Sequence, residues 1–456
     1  MSTNLNYLND ILLSKNKPSL NLIVKKSEVK NAILRLKGYK HSMVQMIALS
    51  IAWNLKLELT NPPLVLDTYV FCEIINSLGG NASIAKDKLI IDPTSIKSYS
   101  IPSKLSNLIH GSVYLIPALL IRFGKVEFFG SGGCQIGDNE TRPIKHVLDI
   151  LKMFGTEVTE NDGKITCYLE KINELKEVDI MDFSTDKKVL EGPFVGGVTK
   201  IAILLSHFQN NICIKNAYIK TDVIDMLRFI SDLNVKVTVQ NNNISIENAK
   251  LIDDSKLISF ELTECISEII TYSTFAIINN VSVRFKDINK NVISQTLFPE
   301  FVLFEKMGIN YEWVNNDLVI KPTEILNAVD ICVTPSSIQS DHQPFFALML
   351  ALKAKGVSKI TENVWKSRFY YINNLNKLGA NINLQSSTIT IIPSVLNNVY
   401  YEFEGKDVRT CAVTLLAIIN SKSSSKIKNC EHILRGYDSL IENFKLLGVI
   451  LSIEKE

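Results

Sequence analysis

The feature that most constrains this 456-residue sequence is a pattern that recurs six times. In each copy a run with apolar residues at helical spacing ends in an apolar residue and a Gly or Asn, which can adopt the left-handed conformation that terminates helices. The intervals between copies are 76, 79, 74, 71 and 69 residues. The six junctions are Leu78-Gly79, Phe154-Gly155, Leu233-Asn234, Met307-Gly308, Leu378-Gly379 and Leu447-Gly448.

One copy illustrates the local structure that we predict for all six. In DVIDMLRFISDLN, over residues 222–234, apolar residues fall at the spacing of an amphipathic helix. The alternating runs VKVTV and ISI follow, separated by the polar turn QNNN, and this pattern predicts a hairpin of two strands. The repeating unit is therefore a helix, a cap and a strand pair, with a further strand and helix before them.

Six such units account for nearly the whole chain, and each needs neighbours to cover the face that it leaves apolar. Spacing alone allows one ring, a solenoid or two bodies of three units. A period of about 75 residues exceeds that of the common solenoids, so compact bodies are favoured.

Composition narrows the class of protein. Hydrophobic residues make up 46% of the chain and the net charge is +2, which argues against disorder and against a nucleic-acid-binding surface. The sequence has no apolar run of about 18 residues and no basic leader, so we expect no membrane span. Eight scattered cysteines without ligand spacing predict a reduced, cytoplasmic protein.

Two early segments carry residues that suit anion chemistry. Lys40 and His41 immediately precede an apolar helix, where a cation and backbone N–H groups can hold an anion, although a solvated lysine is an alternative. The second segment, residues 129–143, contains four glycines, Cys134 and Arg142. It predicts a mobile or tightly turning loop with a reachable thiol, or else a linker with an incidental cysteine.

The later segments are rich in arginine relative to the rest of the chain. Of eight arginines, Arg142, Arg368, Arg409 and Arg435 fall in short segments of this kind, and several arginines in one site suit a small, doubly anionic substrate. Surface salt bridges are the alternative for any one of them. Asp341 precedes another apolar helix, where it could cap the helix or act as a catalytic base.

Taken together and in order, these motifs resemble the UDP-N-acetylglucosamine enolpyruvyltransferase (1-carboxyvinyltransferase) family over essentially the full length. The similarity rests on six segments of this chain, which are Lys40-His41, Gly132-Gly133-Cys134-Gln135-Ile136-Gly137 with Arg142-Pro143, Ser340-Asp341-His342-Gln343, Arg368-Phe369, Asp407-Val408-Arg409 and Arg435-Gly436-Tyr437.

The resemblance implies an α/β (α+β) fold known as an inverted αβ barrel, with two domains that each contain three βαβαββ repeats. One domain is expected to span residues 38–259, and the other to combine residues 1–37 with 260–456. The active site is expected in the cleft between them, in a monomer that binds neither nucleic acid nor membrane.

The resemblance also implies the reaction, in which the enolpyruvyl group of phosphoenolpyruvate moves to a hydroxyl of a nucleotide or nucleotide sugar and phosphate leaves. By position, Lys40, Arg142, Arg435 and Arg409 bind phosphoenolpyruvate. Cys134 protonates C3 of this donor, and Asp341 is the base toward the acceptor hydroxyl. Lys40, Cys134 and Asp341 are thus the expected catalytic residues, and the resemblance implies no metal or organic cofactor.

The acceptor side departs most from the family pattern. The departures are His41, His110, Lys145, Phe194, Lys366 and a loop two residues longer before Arg142. By position, the acceptor is expected to contact His41, His110, Pro143, Ile144, Lys145, Phe194, Val195, Gly196, Asp341 and Arg368.

Three alternatives follow from these departures. The chain could act on UDP-N-acetylglucosamine, or on another nucleotide such as UMP, as in nucleoside-antibiotic pathways. It could also be a binding protein without catalysis, although the donor-side residues are all present. The shikimate-pathway enolpyruvyltransferase shares the fold but lacks such a loop cysteine, so Cys134 argues against it. RNA 3′-phosphate cyclases share part of the repeat but not the donor-side set.

Overall fold

A computed structural model describes residues 6–7, 9–10, 19–130, 132–133, 143–186, 188–249 and 257–455. Its described residues separate into two compact units. The central unit contains residues 38–133 and 143–263, and the terminal unit contains residues 6–37 and 264–455.

Each unit contains three small sheets among the described residues. In the central unit, the first sheet has the strand order Leu257–Glu261, Lys56–Thr60, Lys88–Asp92, Asn81–Ala85. The second has the order Lys236–Gln240, Asn243–Glu247, Asn211–Lys215, Glu177–Asp179. The third contains Lys125–Phe128, Lys164–Tyr168 and Glu157–Asn161, and Ser100 bridges in parallel to Glu127 at its edge.

The three sheets of the terminal unit follow the same plan. Their strand orders are Tyr311–Val314, Asp317–Ile320, Val283–Phe285, Ala32–Leu34, then Ile331–Val333, Ser358–Glu362, Thr388–Ile392, Asn381–Gln385, and last Glu402–Glu404, Ser425–Lys428, Leu20–Lys25, Ile450–Lys455. Each of these sheets has one parallel pair and two antiparallel pairs, so a single pairing plan serves the repeats.

Three helices pack against one another at the centre of each unit. In the central unit they are Lys40–Ala52, Leu115–Phe123 and Val195–Leu205, and in the terminal unit Ile266–Asn279, Gln343–Lys353 and Val408–Asn420. Their side chains are buried almost all round, which explains why the sequence shows long apolar runs at these places rather than one apolar stripe.

The remaining helices contribute narrower apolar faces. The amphipathic helices include Lys145–Met153 and Thr221–Asp232, and the latter matches the helix predicted over residues 222–234. The other helices are Leu66–Ser77, Ser103–Ser106, Lys290–Thr296, Phe298–Met307, Tyr371–Lys377 and Leu440–Leu446, and single 3₁₀ turns cover His110–Tyr114, Ile180–Phe183, Ser206–Phe208 and Glu431–Arg435.

The prediction of a left-handed cap at all six junctions is confirmed. The φ angles of the five cap glycines lie between 78° and 104°, and that of Asn234 is 62°. Two antiparallel strands follow each of the first five junctions. The cap is therefore the local signal that ends each helix and starts each strand pair.

The sixth junction departs from the predicted plan. Only one strand, Ile450–Lys455, follows Gly448, and its antiparallel partner is Leu20–Lys25 from the other end of the chain. The expectation of a sequential strand pair is wrong at this junction, because a strand from the N-terminal segment supplies the second half.

The junction between the units lies at Thr263–Glu264, four residues beyond the predicted Ser259. The strand Leu257–Glu261 pairs in parallel with Lys56–Thr60 and so belongs to the central unit. Backbone pairing over a long sequence separation sets this limit, and the repeat pattern by itself does not contain it. In the described part of the chain, every helix is too short or too polar to cross a membrane.

Two glycines of the central unit allow a matched test of the caps. Gly155 has φ +97°, and a Cβ at this position would lie 2.5 Å from the Lys171 carbonyl oxygen, whereas Gly163 has φ +73° with open space around it. We expect Gly163→Ala to destabilise by about 1 kcal/mol through the left-handed backbone alone. Gly155→Ala adds a backbone clash and is expected to cost roughly 3 kcal/mol.

Urea unfolding of both variants measures this difference in the free energy of unfolding. Equal losses would show that backbone conformation alone, and not close approach, requires glycine at the cap.

Candidate functional site

A buried ion pair joins two of the predicted motifs in the terminal unit. The Arg409 Nε and Nη2 atoms lie 3.1 and 2.6 Å from Asp341 Oδ2, and Ser267 Oγ donates to the same oxygen at 3.0 Å. Burial acts to lower the pKa of Arg409, but the charge of Asp341 outweighs it, so the pKa lies above its ordinary value. This arrangement favours an ionised Asp341 carboxylate.

A chain of hydrogen bonds continues from Arg409 to the last predicted motif. Arg409 Nη1 donates to the Tyr437 hydroxyl at 3.0 Å, which lies 2.9 Å from Thr271 Oγ1, and Thr271 donates in turn to the Ser267 carbonyl at 2.8 Å. Burial raises the pKa of Tyr437 to about 12, so its phenol stays neutral and can donate. The network fixes the orientation of the guanidinium.

Asp341 is not a helix cap. The following helix, Gln343–Lys353, is preceded by His342 and has no side-chain cap, whereas Asp407 caps Val408–Asn420 by accepting from the Arg409 and Thr410 N–H groups. Of the two interpretations of Asp341, capping is therefore wrong. Its neighbour His342 is fully buried, and the His342 Nδ1 atom lies 2.8 Å from Glu300 Oε1.

The buried acid Glu362 connects Arg368 to the motif that contains Ser340 and Asp341. Ser340 Oγ donates to Glu362 Oε2 at 2.8 Å, while the Val364 and Trp365 N–H groups bond Glu362 Oε1. Burial raises the pKa of Glu362, and the nearby Arg368 charge opposes this rise. Arg435 is buried in the turn Glu431–Arg435, two residues before Tyr437. Motifs from the last two repeats thus meet at Asp341, Arg409 and Tyr437.

In the central unit, Lys40 is the first residue of the helix Lys40–Ala52. Its Nζ lies 3.3 Å from Oδ1 of the buried Asp67, and the Lys40 side chain retains 19% of its exposure. His41 packs against Tyr39 with ring centroids 5.0 Å apart. A lysine ammonium beside the first backbone N–H groups of a helix suits the binding of an anion.

A second buried ion pair lies next to this helix. Lys200 Nζ and Asp222 Oδ2 are 2.7 Å apart, and the Lys200 ammonium lies over the Tyr114 ring at 5.1 Å. Burial opposes the charge on Asp222, but Lys200 and His41 hold the pKa of this carboxyl below its ordinary value. The cationic neighbours of Asp222 therefore include a residue predicted to contact the acceptor.

The described start of the glycine-rich loop turns tightly rather than extending. Gly130 and Gly133 have left-handed backbones, and a Cβ on Gly132 would collide with the Asn107 backbone. A Cβ on Gly133 would lie 2.9 Å from the Cβ of His110, which places this predicted acceptor residue beside the loop. Cys134 and Arg142, both predicted site residues, lie outside the described residues.

Three other predicted acceptor residues surround the start of the helix Val195–Leu205. Phe194 stacks on His146 with centroids 4.6 Å apart, and the Val195 side chain is buried in the core. A Cβ on Gly196 would lie 3.2 Å from the Tyr218 ring. The structure therefore places Phe194 and Gly196 beside aromatic rings and leaves only the backbone of Val195 for a ligand.

The predicted residues that follow the loop are more exposed. Pro143 and Ile144 are half-buried before the helix Lys145–Met153, and Lys145 pairs on the surface with Asp149 at 2.5 Å. A surface pair four residues apart on a helix is weak, so it does not hold Lys145 in one place. Within the described residues, no group of His, Cys, Asp or Glu side chains could hold a metal ion.

The structure also contains functional candidates that sequence analysis missed. They are Lys200, Asp222, Tyr114, Ser267, Tyr437 as a hydrogen-bond partner, and Glu300 as the partner of His342. One signal was available for Lys200, since a lysine inside the apolar helix VGGVTKIAILL must find a buried counter-ion. The other partners come from distant parts of the sequence and carry no local signal.

Comparisons with known proteins agree over nearly the whole chain. Residues 24–444 match the model of the EPSP synthase (3-phosphoshikimate 1-carboxyvinyltransferase) family. A UDP-N-acetylglucosamine 1-carboxyvinyltransferase of Thermotoga petrophila is 26% identical over 441 residues, which cover 95% of this chain and 99% of that relative.

Two solved structures share the fold. The enolpyruvyl transferase NikO from Streptomyces tendae superposes with a TM-score of 0.88 at 24% identity, covering 96% of this chain and 100% of that one. The EPSP synthase from Acinetobacter baumannii gives a TM-score of 0.68 at 13% identity, with the same coverage. The predicted enolpyruvyltransferase-like fold is confirmed.

His146, which stacks on Phe194, offers a test of burial beside the start of the helix Val195–Leu205. Burial lowers the pKa of His146 to about 4, and Asp149 and Lys200 act on it with opposite signs. The neutral ring therefore stabilises the fold above the unfolded pKa of about 6.5, and this contribution is lost as the pH falls toward 4. Wild type is expected to lose roughly 3 kcal/mol more than His146→Leu over this range.

The measurement is the free energy of unfolding in urea at half-unit pH steps from 8 to 4. Parallel curves for wild type and His146→Leu would contradict a buried neutral ring.

Proposed function

The chain belongs to the EPSP synthase (3-phosphoshikimate 1-carboxyvinyltransferase) family, and from this premise we propose that it transfers the enolpyruvyl group of phosphoenolpyruvate. The acceptor is a hydroxyl of UDP-N-acetylglucosamine or a related uridine nucleotide, and phosphate is the second product. The full-length match to relatives named for this acceptor carries the proposal.

Asp341 is proposed as the base toward the acceptor hydroxyl. The Ser267 hydroxyl and the Arg409 guanidinium stabilise its ionised form, and a base must be ionised before it can take a proton. Their hydrogen bonds all reach Oδ2, so they also fix the plane of the carboxylate and the direction of Oδ1. This orientation is preset before any substrate binds.

The donor is proposed to bind through Lys40, Arg142, Arg435 and Arg409. Phosphoenolpyruvate carries a phosphate and a carboxylate, which lysine and arginine donors complement. The charge of this substrate shifts toward the leaving phosphate during the reaction, and fixed cations stabilise that shift without reorganising. These residues require no metal for this role.

Cys134 is proposed as the acid that protonates C3 of phosphoenolpyruvate. During addition, the acceptor oxygen forms a bond to C2 while the C2–C3 electron pair takes the proton from Cys134. During elimination, C3 returns a proton to the Cys134 thiolate and the C3–H electron pair re-forms the C2–C3 double bond. The C–O bond to phosphate breaks, and its electron pair leaves with the phosphate. Loop closure over these atoms would exclude water.

A second acceptor, another nucleotide such as UMP, is supported by the residues on the acceptor side. Lys145 makes a surface pair with Asp149, and Phe194 stacks on His146. The cell-wall enzymes are expected to have an acidic residue in place of Lys145 and a small residue in place of Phe194. The fold is similar to that of the enolpyruvyl transferase NikO, with a TM-score of 0.88. A specialised pathway is therefore the alternative to peptidoglycan synthesis, and a binding protein without catalysis is the third outcome.

The test measures phosphate release from phosphoenolpyruvate with UDP-N-acetylglucosamine, UMP and related nucleotides, and mass spectrometry identifies the product. We expect a product heavier than its acceptor by one enolpyruvyl group. Product from UMP alone would select the specialised pathway. Nucleotide binding without phosphate release from any acceptor would overturn the proposed reaction.

Two cysteine variants test the loop acid. Cys134→Ser is expected to lower kcat at least 100-fold, since a hydroxyl is a far weaker acid than a thiol. Cys332 is exposed on the terminal unit, so Cys332→Ser is the matched control and is expected to retain full turnover.

The readout is the steady-state rate of phosphate release with the acceptor identified above. Full activity of Cys134→Ser would remove this residue from the proposed mechanism.

A further inference from the structure

A second buried pair lies directly behind the proposed base. His342 Nδ1 and Glu300 Oε1 are 2.8 Å apart, and both side chains have 0% exposure. The Gln339 N–H donates to the same Glu300 oxygen at 3.0 Å. On the other side of the ring, His342 Nε2 lies 3.9 Å from Asp341 Oδ1.

Packing alone does not account for this pair. Taking a histidine and a carboxyl out of water costs free energy, and apolar residues of the same volume are often as stabilising. His342 Nε2 is buried, and among the described residues it has no hydrogen-bond partner. A buried ring nitrogen without a partner, aimed at a functional carboxylate, suggests that its partner forms during the reaction.

The hydrogen bond to Glu300 determines what Nε2 can do. In neutral histidine one ring nitrogen donates and the other accepts, and a carboxyl acceptor beside Nδ1 places the proton on Nδ1. Nε2 then presents a lone pair toward Asp341 Oδ1. At 3.9 Å the two atoms are too far apart for a hydrogen bond, and they need to approach by about 1 Å to form one.

Different groups therefore lie beside the two oxygens of Asp341. At Oδ2, Ser267 and Arg409 donate and favour the ionised carboxylate. At Oδ1, the Nε2 lone pair of His342 would accept a hydrogen bond from the protonated carboxyl group and so favour the protonated acid. A base needs stabilisation of both forms, because it must be ionised before the reaction and must hold the proton after taking it.

We propose that His342, oriented by Glu300, is a positioning residue that accepts a hydrogen bond from Asp341 after Asp341 has taken the acceptor proton. This inference rests on the proposed function. The acceptor O–H bond breaks, an O–H bond forms at Asp341 Oδ1, and the acceptor electron pair forms the new C–O bond. His342 keeps its own proton throughout, and Asp341 later releases its proton to the departing phosphate or to water.

Further titratable groups lie near the Asp341 partner Arg409 and near the adjacent Ser340. Burial raises the pKa of Cys265 to about 12, and burial together with Asp438 raises that of Glu268 well above its ordinary value. Burial also raises the pKa of Glu362, which bonds Ser340. Among the described residues, the titratable and charged groups around this carboxyl and its partners include Arg409, Tyr437, Cys265, Glu268, Asp438, Glu300 and Glu362.

Two substitutions of His342 separate its two nitrogens. In His342→Asn the amide NH₂ can still donate to Glu300, but nothing remains at the position of Nε2. In His342→Gln the longer side chain can present its amide oxygen near that position. We expect His342→Asn to move the acidic limb of the kcat profile to lower pH by about one unit, with KM changed less than twofold.

At neutral pH kcat is expected to fall about 3- to 10-fold in His342→Asn, because a weaker base transfers protons less readily. His342→Gln is expected to recover most of this loss. Ser267→Ala serves as the opposing control. This substitution removes a hydrogen-bond donor to the ionised Asp341 carboxylate and is expected to move the acidic limb of the kcat profile to higher pH.

Nuclear magnetic resonance gives a readout that does not depend on turnover. Carboxyl-¹³C aspartate labelling follows the titration of Asp341 without substrates, and ring-¹⁵N histidine labelling reports which nitrogen of His342 carries the proton. We expect the proton on Nδ1 and a lower Asp341 midpoint in His342→Asn. Matching thermal unfolding temperatures would confirm that the variants are folded.

The outcomes distinguish the two proposals. An Asp341 midpoint equal to that of wild type in folded His342→Asn, or a proton on Nε2, would overturn the role of His342 even in an active enzyme. A shifted midpoint in a wild-type chain that transfers no enolpyruvyl group would support the coupling and overturn the proposed function.

Discussion

The whole structure depends on burying three helices almost completely at the centre of each unit. Such helices cannot carry an unpaired charge, because the free-energy cost of burying an isolated ion far exceeds what packing of its side chain returns. Each charge that remains on or beside them must therefore find a partner. Arg409 meets Asp341, and Lys200 meets Asp222. The same constraint that makes the core apolar also makes its few ionic contacts precise.

This constraint links stability to chemistry in the terminal unit. The Asp341–Arg409 pair joins residues 68 positions apart, from the fifth and sixth repeats, and Tyr437 of the sixth repeat bonds the same guanidinium. Because its Oδ2 atom accepts the hydrogen bonds from Ser267 and Arg409, the Asp341 carboxylate has a fixed orientation, as a base requires. Glu300 and His342 complete the surroundings from the opposite side. The proposed base Asp341 therefore lies between the Ser267–Arg409 donors and the buried His342 ring.

Much of this arrangement was accessible from the sequence. The six caps were predicted from single residues, because only Gly and Asn adopt the left-handed conformation readily. The motif residues Asp341 and Arg409 were also found, since their residue types suit the chemistry. Glu300 was not found, because nothing near it in sequence distinguishes a partner for His342 from an ordinary surface glutamate. Lys145 was predicted to contact the acceptor, and it lies on the surface beside Asp149.

The sequence by itself determined the number of repeats, the ends of their helices and the kind of side chains available for the reaction. These depend on local conformation and on residue chemistry, which a short window of sequence contains. Only the tertiary structure decided which strand completes the sixth repeat, where the units meet along the chain and which groups face Asp341. Those outcomes come from contacts between residues tens to hundreds of positions apart, and burial in a shared core, rather than any local pattern, selects such partners.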